Sequence, residues 1–419
     1  MNAFIRPLAL GDFDGPSLAI EDTIAIAGLK TVPATDALCE TGREARSPRP
    51  RPLQRRQRVS MHAPAVRRVL SSGWYIDTRV GHGDFGAASA VANAWVRAAL
   101  AADFTGGLRV GAALHGICGF KPSYRVDTGT ARSKADSGST VALPMYCVGA
   151  LAPDMQTLID VAAALDDDFD EALAAHPSKP VRVAWLASED CSGNLDPADS
   201  SYLRAKDWSN VHALLFSACQ MPALQADHAI AIAAAAGASR PLTSPFPSSS
   251  FTVRLPGLAA AADAAALIST VAGRAQECDV DAPAPDRLAE ALRQARDFRA
   301  AVDRALTHAD VIALPTVHPS EGELDALTRA FNLSGHPALT LPFTSDDGHL
   351  HGLQLIARHG DDARLCAAGR WFESLFARHP TATRVDAETR YAAPHPRSPA
   401  FSGRSTSVPS PRWLTARAN

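Results

Sequence analysis

The chain has 419 residues, of which 46% are hydrophobic and 20% are charged, which is typical of a folded globular protein. Its formal net charge of -3 argues against a nucleic-acid-binding domain, and no run of about 18 apolar residues predicts a membrane span. The seven cysteines are scattered and include no C-x-x-C pair, so neither a disulfide framework nor a zinc site is expected. We therefore expect a cytoplasmic protein that binds neither nucleic acid nor membrane and needs no cofactor or metal.

The first quarter of the chain predicts strands and helices around one irregular segment. Residues 11–31 contain a strand-like apolar stretch between glycines. Residues 43–58 hold seven arginines and three prolines, which predicts a solvated loop or, as the alternative, a basic arm for an acidic partner. Residues 65–81 predict a helix followed by a strand. The alanine-rich stretch 87–101 predicts a buried helix with Trp95 on its apolar face.

The remainder of the chain alternates strands and helices, which predicts an α/β fold with a central mixed sheet covered on both faces by helices. The predicted helices are 155–165, 223–239, 257–274 and 286–307, and the predicted strands are 180–186, 310–315, 337–343 and 350–357. We expect one domain over residues 1–390 and a disordered tail over 391–419, which is rich in Pro, Ser and Arg.

Several segments in order resemble the amidase-signature family, whose members hydrolyse or transfer carboxamide nitrogen. The segments GPSLAIEDTIAIAGLKT (15–31) and GHGDFGAASAVANA (81–94) resemble the family's lysine segment and its glycine- and serine-rich stretch. ADFTGGLRVGAALHGICGFKPSY (102–124) resembles its second glycine turn, with the motif that ends in G-x-K-P-[ST]. Later matches are CVGALAPDMQTL (147–158), FNLSGHPALTLPF (331–343) and GLQLIARHGDDARLC (352–366). The resemblance extends from about Gly15 to Glu373 and implies the amidase-signature fold.

The family's catalytic groups are a lysine, a bridging serine and a nucleophilic serine, and this sequence has changed all three. The resemblance places Glu21 at the lysine position, Gly83 at the bridging serine and Gly107 at the nucleophile. A glycine has no hydroxyl, so Gly107 cannot form an acyl-enzyme. Neighbouring positions that still match are Asp22, Asp103, Gly106 and Arg109. The resemblance thus implies a pseudo-amidase that acts by binding a protein partner, a second copy of itself or an amide-like small molecule.

The resemblance also assigns binding and support roles to residues around the second glycine turn. Backbone N–H groups of Phe104, Thr105, Gly106 and Gly107 would bind a carbonyl or carboxylate oxygen. Asp22, Asp103 and Arg109 would brace this turn for folding. Because segments before Gly81 are shortened relative to the family, we expect apolar residues there to be poorly covered and to mark a contact surface. These residues are Val66, Val69, Leu70 and Trp74.

Other interpretations of the site remain open at the level of sequence. Thr105, His82 and Asp84 could form a rebuilt Thr–His–Asp arrangement, with Thr105 or a water as the nucleophile. Glu21, Asp84 and His82 could instead hold a metal. In the interpretation without chemistry at this place, Thr105 is a turn residue, His82 is exposed and Asp84 accepts hydrogen bonds from backbone N–H groups. A decayed gene product is the remaining alternative. Cys118 and Cys147 lie in apolar surroundings and are expected to be inert core residues.

Overall fold

A computed structural model describes residues 4–31, 61–82, 85–124, 145–178, 182–186, 249–274, 285–317, 324–344 and 350–378. In these ranges the chain forms eleven β-strands, all in one mixed sheet, and nine α-helices. The predicted helix 223–239, the arginine-rich segment 43–58 and the tail 391–419 lie outside the described residues. No helix of the described ranges is both long enough and apolar enough to cross a membrane.

The strands follow the order β1-β3-β2-β4-β6-β5-β10-β11-β9-β7-β8 across the sheet. Strand β2 lies parallel to both β3 and β4, whereas β4, β6, β5 and β10 pair antiparallel with one another. The strands are β1 Phe4–Leu10, β2 Ser17–Glu21, β3 Tyr75–Val80, β4 Ala98–Asp103, β5 Cys118–Lys121, β6 Cys147–Ala152, β7 Arg182–Leu186, β8 Ser249–Val253, β9 Val311–Pro315, β10 Ala338–Thr344 and β11 Leu350–Ile356.

Helices cover both faces of the sheet. Alternate residues of a strand point to opposite faces, and in β2 Leu18 and Ile20 enter one apolar cluster while Ala19 enters another. The helices are α1 Pro64–Ser71, α2 Gly86–Ala92, α3 Gly107–His115, α4 Met155–Leu165, α5 Glu171–Ala175, α6 Leu258–Arg274, α7 Pro285–His308, α8 Ala326–Ser334 and α9 Asp362–Arg378. The predicted α/β fold with a mixed, helix-covered sheet is therefore confirmed.

Several predicted elements coincide closely with observed ones. Helix α4 has the predicted bounds, and the carboxylate of Asp154 caps it by accepting a hydrogen bond from the Thr157 backbone N–H at 2.7 Å. Predictions for α1, α6, α7, β3 and β9 to β11 agree within a few residues, and the described part of 180–186 forms β7.

The predicted helix over 87–101 is wrong in its second half. Helix α2 ends at Ala92, Ala94 adopts a positive φ of 55°, and the chain then enters β4 at Ala98. Strand β4 lies between β2 and β6 in the sheet. At this central position its small alanine side chains let helices pack closely on the sheet. Trp95, which we placed on a buried helix face, lies in the connecting turn and is 47% exposed. Tertiary pairing here overrides the helix propensity of alanine.

The expected exposed patch near residues 65–80 is also wrong. Val66 and Val69 of α1 are fully buried, Trp74 is nearly so, and Leu70 is partly buried and packs against the same core. Helix α1 packs against α4, and Arg68 Nη1 donates a hydrogen bond to the Leu165 carbonyl at the end of that helix, at 3.1 Å. The apolar side chains of this segment therefore belong to the core.

Candidate functional site

Three neighbouring parallel strands, β3, β2 and β4, end at the same edge of the sheet. Glu21 is the last residue of β2 and pairs with Val80 at the end of β3, and the β4 residue Leu100 pairs with Ile20. Loops that follow the carboxyl ends of parallel strands are a common place for ligand sites. This topology brings together the short segments 21–23, 81–82 and 103–107, which hold most of the sequence-predicted site residues.

Glu21 is a buried carboxyl group at this edge, and its residue is only 8% exposed. The Thr23 hydroxyl donates a hydrogen bond to Glu21 Oε1 at 2.6 Å, and the Ala102 backbone N–H also donates to the carboxyl group. Burial nevertheless outweighs these hydrogen bonds and raises the pKa of Glu21 to about 7. At neutral pH the site therefore holds a carboxyl group that is close to half protonated.

Asp22 and His82 form a hydrogen-bonded pair beside Glu21. Asp22 Oδ1 accepts hydrogen bonds from the His82 backbone N–H at 3.1 Å and from His82 Nδ1 at 2.8 Å. Arg79 Nη2 donates to the Asp22 carbonyl at 2.6 Å, which fixes the segment that carries the carboxylate. The His82 side chain is only 13% exposed, so its interpretation as an exposed residue is wrong. With Nδ1 as the donor to Asp22, the tautomer assigned to His82 has its basic lone pair on Nε2.

The turn Phe104–Gly107 leads into α3 and is shaped by two different glycines. Gly106 has φ +109°, and a Cβ there would lie 1.9 Å from Thr328 Oγ1, so only glycine fits. Thr328 Oγ1 also donates a hydrogen bond to the Thr105 carbonyl at 3.3 Å. Gly107 is the first residue of α3, and a Cβ there would meet nothing within 4 Å. The site therefore has room for a side chain at Gly107 that the sequence does not supply.

A buried polar network supports this turn from below. Arg109 Nε and Nη2 donate to the two carboxylate oxygens of Asp103 at 2.8 and 3.2 Å, and both side chains are fully buried. Arg109 also donates to Gln354 Oε1 at 2.5 Å, to the Thr328 carbonyl at 3.0 Å and to Asn332 Oδ1. Burial favours a raised pKa for Asp103, but the charge and hydrogen bonds of Arg109 outweigh it and lower the pKa.

Asp103 and Arg109 were predicted from the sequence, but their three distant partners were not. Thr328, Asn332 and Gln354 lie more than 200 residues further along the chain. The available signal was a polar residue inside an apolar run, as for Asn332 in FNLS and Gln354 in LQLI. Buried polar groups of this kind need hydrogen-bond partners, which local sequence does not identify.

Comparisons with known proteins give the fold its name. No family model matches the sequence. The structure of a glutamyl-tRNA(Gln) amidotransferase subunit from Thermotoga maritima matches with a TM-score of 0.60 and 16% identity, over 89% of this chain and 87% of that one. A structure of 6-aminohexanoate cyclic dimer hydrolase matches with a TM-score of 0.59 and 18% identity, over 89% of each chain. The chain has the amidase-signature fold.

Two further matches cover a smaller share of the matched protein. Allophanate hydrolase of Kluyveromyces lactis matches with a TM-score of 0.59 and 15% identity, over 89% of this chain and 65% of that one. An uncharacterized protein in the nthA 5' region of Rhodococcus erythropolis is 35% identical over 100 residues, which is 20% of this chain and 50% of that protein. The chain therefore spans about half the length of this curated relative.

Two of the three positions that the resemblance assigns to catalytic groups lie in the described residues, near the strand-end site. Glu21 is the last residue of β2, and Gly107 is the first residue of α3, directly after the braced turn that follows β4. Gly83 and Asp84 lie outside the described residues, so the bridging position and the proposed metal set stay predictions. Among the residues that the structure describes, no group of three His, Cys, Asp or Glu side chains is placed to hold a metal ion.

Proposed function

We propose that this protein is a pseudo-amidase, which has the fold of carboxamide hydrolases but binds a ligand or a partner without the Ser–cis-Ser–Lys chemistry. The observation that supports the proposal is Gly107, which has open space where a nucleophilic side chain would lie and no atom to fill it. The acyl-enzyme route needs a hydroxyl or thiol at this place. Loss of a catalytic nucleophile lowers turnover by several orders of magnitude in comparable hydrolases.

The ligand that suits the site is a small neutral or cationic amide-like molecule. Backbone N–H groups at the start of α3 have no acceptor within the helix, and such groups bind carbonyl oxygens. Glu21 lies at the neighbouring strand end with a pKa of about 7. In its charged form it attracts an ammonium or amidinium group, and in either form it accepts a hydrogen bond from an amide N–H. A ligand carboxylate would instead be repelled by Glu21 and Asp22.

A matched set of ligands tests this proposal by thermal unfolding. Acetamide, acetamidinium and acetate have the same shape and differ in charge. We expect the first two to raise the melting temperature and acetate to leave it unchanged, since a ligand at 100 times its Kd adds about 2.7 kcal/mol of stability. With wild-type protein, acetamidinium should give a larger shift than acetamide, because it is attracted by the Glu21 charge. In Glu21→Gln this difference should disappear, while the shift with acetamide remains. The absence of any shift across the set would remove small-molecule binding from the proposal.

Activity measurements provide the second part of the test. We expect no ammonia release from ordinary carboxamides by the wild-type protein. Gly107→Ser should also be inactive although the new side chain fits, because a hydroxyl without its proton relay is a poor nucleophile at neutral pH. Robust ammonia release by the wild type would contradict the proposal.

A second candidate function is a hydrolase with a rebuilt site, and the His82–Asp22 pair favours it. A histidine oriented by a buried carboxylate is the usual general base for a hydroxyl or water nucleophile. In this reaction Thr105 or a water would attack the carbonyl carbon, and the attacking oxygen would give its proton to His82. Ammonia release that is lost in His82→Ala and Thr105→Ala would favour a threonine nucleophile. Loss in His82→Ala alone would favour water, and loss on chelation would favour a metal.

A further inference from the structure

Lys121 and Cys147 form a buried pair outside the strand-end site. They lie on the adjacent antiparallel strands β5 and β6, in which Phe120 pairs with Ala150, so the two side chains are diagonal neighbours. Lys121 Nζ lies 4.0 Å from Cys147 Sγ and donates a hydrogen bond to the Pro122 carbonyl at 2.8 Å. Both residues are buried, and Cys147 is a free cysteine. The apolar surroundings of Cys147 in the sequence predicted an inert core residue, and the fold places a basic side chain beside it.

The surroundings distinguish Cys147 from the other described cysteines. Burial raises the pKa of Cys147, and the nearby Lys121 charge opposes that rise. Burial, with neighbouring acidic groups, raises the pKa of Cys118 and Cys366 well above the usual value. Burial also lowers the pKa of Lys121, which increases its share of neutral, nucleophilic amine. Of these three thiols, Cys147 is therefore the one with an amine beside it that opposes the rise in its pKa.

We infer that hydrogen peroxide converts Lys121 and Cys147 into a reversible sulfur–nitrogen cross-link, which makes the pair a redox modification site. The Cys147 thiolate attacks one peroxide oxygen, so that an S–O bond forms, the O–O bond breaks and hydroxide leaves. The neutral Lys121 amine then attacks the sulfenic sulfur, the S–N bond forms and the oxygen leaves as water. In total, thiol, amine and one peroxide give the linked pair and two waters. Sulfur is oxidised by two electrons, and a dithiol returns those electrons and two protons.

The link would act on the network that supports the glycine turn. Cys147 is the cross-strand partner of Asp103, the residue that anchors Arg109. The Lys121 ammonium is one of the charges that lower the pKa of Asp103, and a nitrogen bound to sulfur no longer carries that charge. Oxidation would thus weaken the stabilisation of the Asp103 carboxylate beneath the turn. The inference does not depend on which ligand or partner the proposed function assigns to the site.

Peptide mapping of the native full-length protein tests the cross-link. The protein is treated with peroxide, unfolded, alkylated with iodoacetamide and digested with trypsin, which does not cleave between Lys121 and Pro122. Lys121 and Cys118 then share peptide 110–125, and Cys147 is the one cysteine of peptide 135–182. We expect the two peptides joined with the loss of two hydrogens, with Cys118 carrying one alkyl group. A Cys118–Cys147 disulfide has the same mass loss but leaves Cys118 without the alkyl group.

The matched controls lie in the same chain. Lys121→Met and Cys147→Ser should each abolish the joined peptides, and a dithiol should separate them in the wild type. Cys366, a free cysteine that is even more deeply buried, should be recovered alkylated from the same digest. Should a buried substitution unfold the protein, the wild-type digest still decides the question. Recovery of Cys147 alkylated or as sulfinic acid, with peptide 110–125 unlinked, would overturn the inference, as would a disulfide to Cys118.

Discussion

At the scale of single residues, two adjacent glycines in the turn before α3 are expected to respond differently to an added methyl group. Gly106→Ala places a Cβ against Thr328 at a left-handed φ, and we expect it to destabilise the protein by about 2–4 kcal/mol. Gly107→Ala is its matched control, because the Cβ meets no atom within 4 Å, and we expect a change of at most about 1 kcal/mol. Urea unfolding of both variants measures the difference. Equal losses of stability would mean that a side chain at Gly107 meets neighbouring atoms after all.

A second prediction at this scale concerns the pH dependence of stability. The folded-state pKa of Glu21, about 7, lies above the ordinary glutamate value of 4.5. Between these two values the unfolded chain ionises Glu21 before the folded chain does, so the residue destabilises the fold increasingly as pH rises through this window. Glu21→Gln removes the ionisation and keeps an acceptor for Thr23. It should therefore stabilise the protein by about 2–3 kcal/mol at pH 8 and have little effect near pH 4.

The pH prediction has a simple control in the same protein. Glu171, an exposed carboxylate in the first turn of α5, can be changed to glutamine without altering the buried site. Denaturant unfolding of Glu171→Gln across the same pH range should follow the wild-type profile. A Glu21→Gln effect of the same size at pH 4 and pH 8 would show that charge burial is not its cause.

At the scale of secondary-structure elements, the polar network ties α8 and β11 to the loop between β4 and α3. The amide of Asn332 in α8 donates to the Asp103 carbonyl at 3.0 Å and to its carboxylate at 2.8 Å, and it also accepts from Arg109. Asn332→Ala leaves a buried carboxylate and guanidinium short of partners, so we expect a loss of about 2–4 kcal/mol. Thermal and urea unfolding both measure this loss.

Asn93 provides the comparison for that substitution. Its side-chain amide donates to the Ser89 carbonyl at 2.9 Å, at the partly buried end of α2. Asn93→Ala removes one hydrogen bond that water can replace, and we expect a loss of about 0.5–1 kcal/mol. If Asn332→Ala cost no more than this, the network would not be a main support of the turn.

At the scale of the whole molecule, we predict that the protein associates with itself or with a partner. Light scattering on purified protein, followed by affinity capture from the native host, tests the prediction. A monodisperse monomer that captures no specific partner would contradict it and favour a decayed gene product.

Because the apolar residues of the 65–80 segment belong to the core, the contact is no longer expected there. Val69 is buried between α1 and the rest of the core, so Val69→Ala should lower stability by about 1–2.5 kcal/mol. The association state of the folded protein should stay the same, because the Val69 side chain is buried within its own chain. A change in the scattering mass of folded Val69→Ala would restore the original view of the 65–80 segment.

The fold class and most element positions were predictable from the amino-acid sequence, whereas the changed catalytic positions stay a prediction from the family resemblance. The predicted strands depend on local patterns, such as the apolar runs that become β9 to β11. The change at Gly107 can be read directly from the sequence, because glycine has no side chain. Three features become visible only in the tertiary structure: Ala98–Asp103 is a central strand, His82 pairs with Asp22, and Lys121 lies beside Cys147. These features arise from sheet pairing between distant segments, which fixes burial and therefore charge, and no local pattern encodes that pairing.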